Sequence, residues 1–455
     1  MSDDFPSSKL ERGKIFAKTG LKVGTNYAKR YLKKSVGKKE TEEEGRQFHS
    51  ENAREVFNEF TKLRGTALKI AQSLSMDEGM LPDEFAEVMS EAQYSVPPIN
   101  KALARSIIKK ELGDYPEQLF ADFDSDALAA ASIGQVHQAR LDDGRTVAVK
   151  IQYPNVRNTI HSDMAMAKTL VKRIVKRGAS IDEYFDEVEE TLMEETDYIQ
   201  EGQYIDYFHN RFADTNIVTP QWIEELSTQK VLTMTFVEGQ HLKEFLATNP
   251  SQEERNHFGQ LLWDFFHDQV EQRDFIHADT HPGNFFFRDD GKLGVIDFGC
   301  VKKFDEEFTH NYMQLLPTHL KQNEQEIRDL YIRLGIIKKN PDNPKKEEEF
   351  FRFCKNYGNT FAQPYMGDEF DFGDPEFKQK INSYAKEPPI MNEPRGDKNF
   401  IYSTKVHLGL YSMLMKLQAN VDTTRSKQIT QAVLDKINGK NNQRPADSGI
   451  ISYVS

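Results

Sequence analysis

His277-Ala278-Asp279-Thr280-His281-Pro282-Gly283-Asn284, followed by Asp297-Phe298-Gly299, is the stretch that decides how the rest of the chain is read. Asp279 and Asn284 stand five residues apart, and Asp297 comes eighteen residues after Asp279. Between them, Phe285-Phe286-Phe287-Arg288 and Leu293-Gly294-Val295-Ile296 flank the turn Asp289-Asp290-Gly291-Lys292, which predicts a β-hairpin. One intervening hairpin puts both motifs at its same end. An aspartate that accepts or orients a hydroxyl proton, an amide oxygen and a second carboxylate make a complete set for Mg²⁺-assisted phosphoryl transfer.

Upstream, Val136 to Leu141 and Thr146 to Ile151 predict a second hairpin across Asp142-Asp143-Gly144-Arg145. Strand alternation turns Lys150 to the same face as Ala148, where its ammonium would meet the α- and β-phosphates of a nucleotide. An isolated Val-Ala-Val-Lys is also what an ordinary strand lysine looks like. Protein kinases present these parts in the same order: a glycine-rich loop, a strand lysine, a catalytic Asp with an Asn, and a DFG Asp. Here Ala129 to Val136 fits the G-x-G-x-x-G-x-V register with alanine at the first two glycine positions. Methyl groups disfavour positive φ and close backbone approach, so Ala130, Ala131, Ser132, Gly134 and Val136 form a stiffer phosphate loop. The strand-like run from Lys230 to Val237 ends at Glu238-Gly239, and backbone from Thr235 to Val237 is the expected contact for adenine.

A lysine placed this way needs an acidic partner. Glu194, Glu195, Asp197 and Glu201 lie on a charged helical stretch from about Asp182 to Phe212, and Glu201 is the expected ion-pair partner. Asp197 and Glu201 share a face at i, i+4 spacing, whereas Glu195 points toward another contact. A solvated acidic face is the usual explanation for any one of them. His277 and His281, at i and i+4, raise a metallohydrolase alternative, but no H-E-x-x-H glutamate or third ligand accompanies them. His277 reads as orienting the loop, and His281 as structural or close to the phosphates. There is no P-loop motif, and no Ala-Pro-Glu follows Gly299, which puts the peptide platform of ordinary protein kinases in doubt.

The chain's 455 residues and 38% hydrophobic content suffice for two lobes. Two cysteines, Cys300 and Cys354, without a secretory signal or zinc-finger spacing, fit a reducing, cytoplasmic compartment. No window approaches the roughly 20 apolar residues of a membrane-spanning helix. The net charge of −13 is uneven, because residues 1–39 hold eleven Lys/Arg against Asp3, Asp4 and Glu11. Nucleic acid is not expected as the main partner. Lys9 to Lys39 predicts a basic amphipathic helix with Ile15, Phe16, Leu21, Val23, Tyr27 and Tyr31 among the lysines. It either lies peripherally on the inner, anionic face of a membrane or is a solvated tail. From Gln47 to about Leu119 the pattern is helical, and after Val301 it is helical to about Asn438, with a Pro/Gly/Asp-rich loop near 363–375. The expectation is an α+β, bilobal protein-kinase-like fold with an N-terminal all-helical extension. Its segments are a basic terminus (1–46), the extension (47–125), an N-lobe (126–237) and a C-lobe (238–455).

Taken together, these motifs resemble the UbiB family of atypical kinases, also called ADCK proteins, over about residues 60–305. Ala129 to His137 looks like that family's substitute for the glycine-rich loop, and Glu195-Thr196-Asp197 like its E-x-D motif. His277 to Asn284 resembles its H-A-D-P-H-P-G-N loop, and Lys69-Ile70-Ala71-Gln72 its K-x-G-Q motif. In the family the K-x-G-Q extension folds over the active site and restricts protein substrates. The resemblance therefore implies that Lys69, Gln72 and Glu195 serve near the nucleotide. Ala71 replaces the motif glycine and Thr280 the proline after the catalytic Asp; neither change removes a charged or metal-binding group. The membrane-spanning C-terminal helices of many bacterial members are absent from the sequence. Membership implies ATP and Mg²⁺ as cofactors, ATPase activity rather than protein phosphorylation, and a lipid or isoprenoid-quinone precursor as partner.

Three functions compete. The leading one is a Mg²⁺-dependent ATPase or lipid kinase in which Lys150 and Glu201 position ATP, Asn284 and Asp297 hold metal, and Asp279 orients the nucleophile. The second is an ATP-gated pseudokinase that binds lipids or a biosynthetic complex. The third is an antibiotic- or choline-type phosphotransferase, which gives no reason for the Lys69 to Gln72 extension. A homodimer is the oligomeric form considered.

Overall fold

β-Branched residues at Val147, Val149 and Ile151 build a strand buried along almost its whole length, and the first part of the fold forms around it. The computed structural model describes residues 9–35, 41–63, 66–67, 69–71, 84, 88, 98–130, 133–172, 181–272, 275–384, 395–396, 399–437 and 439. The chain divides into two units. The first is Met1–Gly239 with Gly294–Cys300 and Ala385–Pro394, and the second is Gln240–Leu293 with Val301–Tyr384 and Arg395–Ser455.

The first unit opens with helices α1 (Lys9–Ser35), α2 (Glu42–Leu63) and α3 (Lys101–Leu112). The Asn100 side chain caps α3 by accepting from the Leu103 N–H, and Gly113 at φ +96° ends it. An antiparallel sheet follows, made of β1 (Asp122–Phe123), β2 (Ala129–Ala130), β3 (Gly134–Arg140), β4 (Thr146–Gln152) and, after helices α4 (Val156–Val171), α5 (Ile181–Glu195) and α6 (Tyr198–Phe212), β5 (Val231–Thr235). The strand order is β1-β3-β4-β5, with β2 also beside β3. The β3–β4 turn is closed by Gly144 at φ +91° and by the Asp143 carboxylate, which accepts from the Arg145 backbone N–H. Val136 stands opposite Lys150, and Lys150 opposite Leu232. The core joins Val147, Val149 and Ile151 to Phe185 and Leu192 from the helices and to Phe60 and Ile70 from the extension.

Two expectations need correction here. The charged stretch from Asp182 to Phe212 is two helices. Thr196 bonds its hydroxyl back to the Met193 carbonyl, and Asp197 caps α6 by accepting from the Gln200 N–H. Capping chemistry ends one helix and starts the next within two residues, so Asp197 is a cap and not a helix-face partner of Glu201. The basic N-terminal helix exists, but its apolar side faces protein. Phe16 and Val23 are buried, and the Phe16 ring meets Phe60 at 5.6 Å. Arg12, 2% exposed, pairs with the fully buried Asp163 of α4 at 2.6 Å and also donates to the Leu63 carbonyl at the end of α2. This leaves Leu10 and Leu21 exposed on the outer side. The side chains of Tyr27 and Tyr31 lie outside the described residues.

The second unit is mainly helical. Its larger elements are α7 (Gln252–Gln272), β6 (Phe275–His277), β7 (Phe285–Phe287), β8 (Val301–Lys303), α8 (Pro344–Ala362), β9 (Glu369–Asp371), α9 (Asn399–Leu417), β10 (Asn420–Asp422) and α10 (Thr424–Ile437). β6 pairs antiparallel with β8, setting His277 opposite Val301. The segment expected as a loop near 363–375 contains β9, which pairs with β10. Its partner is some fifty residues away, beyond any local pattern. The core is aromatic: Trp263 stacks on His267 at 4.2 Å and packs against Tyr365, Phe372 and Tyr411. No described helix is long and apolar enough to cross a membrane.

Candidate active site

Strand alternation on β4 and the first turn of α6 bring Lys150 and Glu201 together. The Lys150 ammonium donates to both Glu201 oxygens, at 2.7 and 2.9 Å, and lies 3.6 Å from Asp297 Oδ2. The Lys150 and Glu201 side chains are 10% and 2% exposed, whereas that of Asp297 is 39% exposed. Burial would lower the Lys150 pKa, but the charges of Asp297 and Glu201 outweigh it and hold it well above the ordinary lysine value. The same burial pushes the Glu201 carboxyl up to about 7, with Lys150 opposing and Asp297 adding to the rise. Tyr198, one turn before Glu201, puts its ring 5.1 Å from the ammonium. Its hydroxyl finds no hydrogen-bond partner among the described residues. Nothing in the sequence pattern singles out Tyr198, which adjoins the E-x-D motif inside a helical stretch.

Asp297 is held by its own loop. Oδ1 accepts from the Gly299 N–H at 2.9 Å, while Phe298 is fully buried against Phe208. A Cβ on Gly299 would lie 3.2 Å from Asp297 Oδ1, 3.7 Å from Glu201 and 3.8 Å from Glu195, so these three carboxylate side chains gather around one glycine. Glu195 in turn pairs with Lys69 at 2.7 Å. Ala71 is fully buried beside Ile70, so the methyl group that replaces the motif glycine sits in the core. Gln72, Ala131 and Ser132 lie outside the described residues.

Ala130 pairs with Gln135 across β2 and β3 and is exposed. Gly134 carries its own requirement: a Cβ there would come 2.9 Å from the Tyr198 hydroxyl and closer still to the Ile151 carbonyl. Val136 is half-buried opposite Lys150. At the expected adenine edge, the Thr235 N–H already donates to the Gln221 carbonyl and that of Phe236 to the Thr146 carbonyl. A base bound there would have to use other groups, such as the backbone at Val237, whose side chain is buried.

In the second unit the catalytic-type loop is held by its own polar groups. Asp279 Oδ1 accepts from the His281 N–H, and Oδ2 accepts from the Asn284 amide nitrogen at 2.9 Å. With its nitrogen committed to Asp279, Asn284 has its amide oxygen as the atom a metal would take. His281 Nδ1 accepts from the Gly283 N–H and caps the short turn Pro282–Asn284. His277 is fully buried, and its N–H donates to the Gln269 side chain. The Thr280 hydroxyl donates to the Lys405 carbonyl of α9, and Gly409 on that helix leaves room for it, since a Cβ there would overlap Thr280. Threonine in place of proline thus ties the loop to α9.

Each unit, taken by itself, carries groups that suit Mg²⁺ and a nucleotide polyphosphate. In the first, Lys150 is a cation of the kind that meets phosphate oxygens and the accessible Asp297 carboxylate a hard ligand of the type magnesium takes; in the second, the Asn284 amide oxygen is a ligand of the same type. Residues 91–331, just over half of the chain, match the ABC1 atypical kinase-like domain. The chain is 26% identical over 446 residues to the probable serine/threonine-protein kinase abkA of Dictyostelium discoideum, covering 92% of this chain and 78% of that one. It is 28% identical over 388 residues to the mitochondrial atypical kinase COQ8 of Saccharomyces cerevisiae, covering 84% and 76%. To AarF domain-containing protein kinase 1 of Mus musculus it is 30% identical over 297 residues, covering 64% and 57%. Among solved structures, Rv3197 of Mycobacterium tuberculosis, determined with erythromycin, superposes with a TM-score of 0.59 at 25% identity, over 85% of this chain and 97% of that one. Match, motifs and fold agree, and the chain belongs to the ABC1 family of atypical kinases, the UbiB/ADCK proteins.

Proposed function

We propose that this protein is a Mg²⁺-dependent, ATP-binding atypical kinase or ATPase that serves lipid metabolism of the ubiquinone or isoprenoid-quinone kind and does not phosphorylate proteins. The observation that carries the reading is the buried Lys150 ammonium, held by Glu201 at 2.7 Å with the accessible Asp297 carboxylate 3.6 Å away. Bound Mg²⁺-ATP would supply the transferable γ-phosphoryl group. Lys150 binds the α- and β-phosphates, and Glu201 fixes where the ammonium stands. Asp297 and Asn284 are the metal ligands. Asp279 orients the attacking hydroxyl or water and takes its proton. Lys69, paired with Glu195 beside the Asp297 loop, supports an acceptor smaller than a protein, because the extension then occupies ground next to the nucleotide groups.

That same pair favours a second reading, an ATP-gated module that binds a lipid or a biosynthetic complex. Mg²⁺-dependent ATP turnover of the wild type, with and without vesicles carrying isoprenoid phenols, separates the two. Turnover that Asp297→Asn abolishes supports the enzyme. Nucleotide binding with negligible turnover in every condition supports the gated module, and full turnover in Asp297→Asn overturns the site assignment.

A further inference from the structure

β3 carries two buried polar side chains that the nucleotide reading does not use. Gln135 is 1% exposed and His137 0%; two residues apart, they share one face of the strand that leaves the alanine-rich loop. They complete a chain of three hydrogen bonds. The Ile99 backbone N–H donates to Gln135 Oε1 at 2.8 Å, Gln135 Nε2 meets His137 Nε2 at 2.7 Å, and His137 Nδ1 meets the Asp124 carbonyl at 2.8 Å.

Backbone groups at both ends fix every proton in this chain. The Asp124 carbonyl only accepts, so Nδ1 carries a hydrogen. The Ile99 N–H only donates, so Gln135 presents its oxygen there and its NH₂ to the imidazole. Nε2 must then be a lone pair. A second proton on the ring sets N–H against N–H. Turning the Gln135 amide over repairs that contact but sets its NH₂ against the Ile99 N–H. Either way one buried contact opens.

The ends of the chain give that opening a consequence. Ile99 precedes Asn100, the cap of α3. The Asp124 N–H donates to the Gln138 carbonyl and the Leu128 N–H to the Val136 carbonyl, so the backbone that delivers the alanine-rich loop is laid along β3. The His137 ring stacks on Phe123 at 5.0 Å. The charged groups around it are Asp124 and Asp126, the latter paired with Lys101 of α3, while β4 presents Val149 opposite. Burial outweighs both aspartates and holds the imidazole below the usual histidine range.

We infer that Gln135 and His137 are positioning residues. They form a proton-sensitive latch that ties the backbone at Ile99 to the segment Asp122–Ala130 and so sets where the alanine-rich loop stands. Only the last readout of the test rests on the nucleotide reading. Amide hydrogen exchange at Ile99 and Leu128, corrected for its intrinsic pH dependence, is measured in the full chain at pH 7.5 and 5.5 for wild type, Gln135→Leu and His137→Asn, with Mg²⁺-ATP affinity on the same samples. The wild type should lose protection at both amides at pH 5.5 by about tenfold, the equivalent of one hydrogen bond. Gln135→Leu should lose it at both pH values, His137→Asn should show no pH step, and ATP affinity should fall wherever protection does. Gln135→Met replaces Gln135→Leu if thermal melting shows the latter unfolded.

Unchanged Ile99 protection in the glutamine variant, or a pH step that persists in His137→Asn, overturns the latch. Opening at Ile99 that leaves both Leu128 and ATP affinity untouched overturns its coupling to the loop. A wild type that binds no ATP refutes the nucleotide reading, and the exchange data alone then decide the latch.

Discussion

The two units differ in the polar groups that stand out in them, ion pairs in the first and uncharged histidines in the second. In the first, beside the neutral Gln135–His137 chain, charge answers charge: Arg12 with Asp163, Lys150 with Glu201 and Asp297, Lys69 with Glu195. In the second, the buried histidines stay neutral, although a buried pair of charges, Arg395 with Glu347 at 2.8 Å, lies there too. His267 donates from Nδ1 to the Trp263 carbonyl and accepts at Nε2 from the Tyr365 hydroxyl, and burial pushes its pKa down to about 3. His319 and His407 are also held below the ordinary value by burial. Ion pairs fail as sets, because removing one partner strands the other. A neutral network fails when protons arrive.

The largest effect should come from breaking the most buried pair. Arg12→Met leaves Asp163 without its counter-charge and the Leu63 carbonyl without its donor, at a cost of about 3–5 kcal/mol in denaturant unfolding. A variant that unfolds like wild type would show that α1 is not clamped to the first unit.

Acid is the corresponding probe of the second unit. The folded-state pKa of His267 is depressed from 6.5 to about 3, so below pH 6.5 the unfolded chain binds a proton that the folded chain refuses. Stability should fall as pH drops through this window, with His267 alone contributing about 2 kcal/mol at pH 5. His319 and His407 act in the same direction. Glu201 has the opposite sign: its raised carboxyl pKa contributes stability that is present below about 4.5 and lost as pH rises through about 7. Thermal melts of wild type and His267→Gln between pH 5 and 7.5 check this, and the variant should show the flatter profile.

The smallest effect tests whether the Lys150 cluster depends on charge and ring alone. The Tyr198 hydroxyl is buried without a partner among the described residues, so Tyr198→Phe should change stability by less than about 0.5 kcal/mol and leave ATP affinity intact. A large loss of affinity would mean that the hydroxyl itself meets the nucleotide.

What was legible in the sequence was local. The β3–β4 hairpin follows from β-branched alternation around Asp142-Asp143-Gly144-Arg145, and the order of Lys150, Glu201, Asp279, Asn284 and Asp297 can be read along the chain. Helical periodicity runs on through Thr196 and Asp197, so only the observed capping bonds reveal the break there. An amphipathic helix looks the same whether its apolar face meets lipid or protein, and the Arg12–Asp163 pair that decides the matter spans 151 residues. β9 and β10 pair across some fifty residues, also beyond any local pattern. Gln135 and His137 belong to the alanine-rich motif, but Ile99, the partner of Gln135, lies 36 residues upstream of it, and nothing in the spacing points to it.

The central claim is that the Lys150, Glu201 and Asp297 cluster holds Mg²⁺-ATP. Calorimetric titration of ATP into wild type and Asp297→Asn, each with and without Mg²⁺, tests it most directly. Mg²⁺ should tighten ATP binding to the wild type and give little or no gain in Asp297→Asn. Equal Mg²⁺ dependence in the two proteins would contradict it.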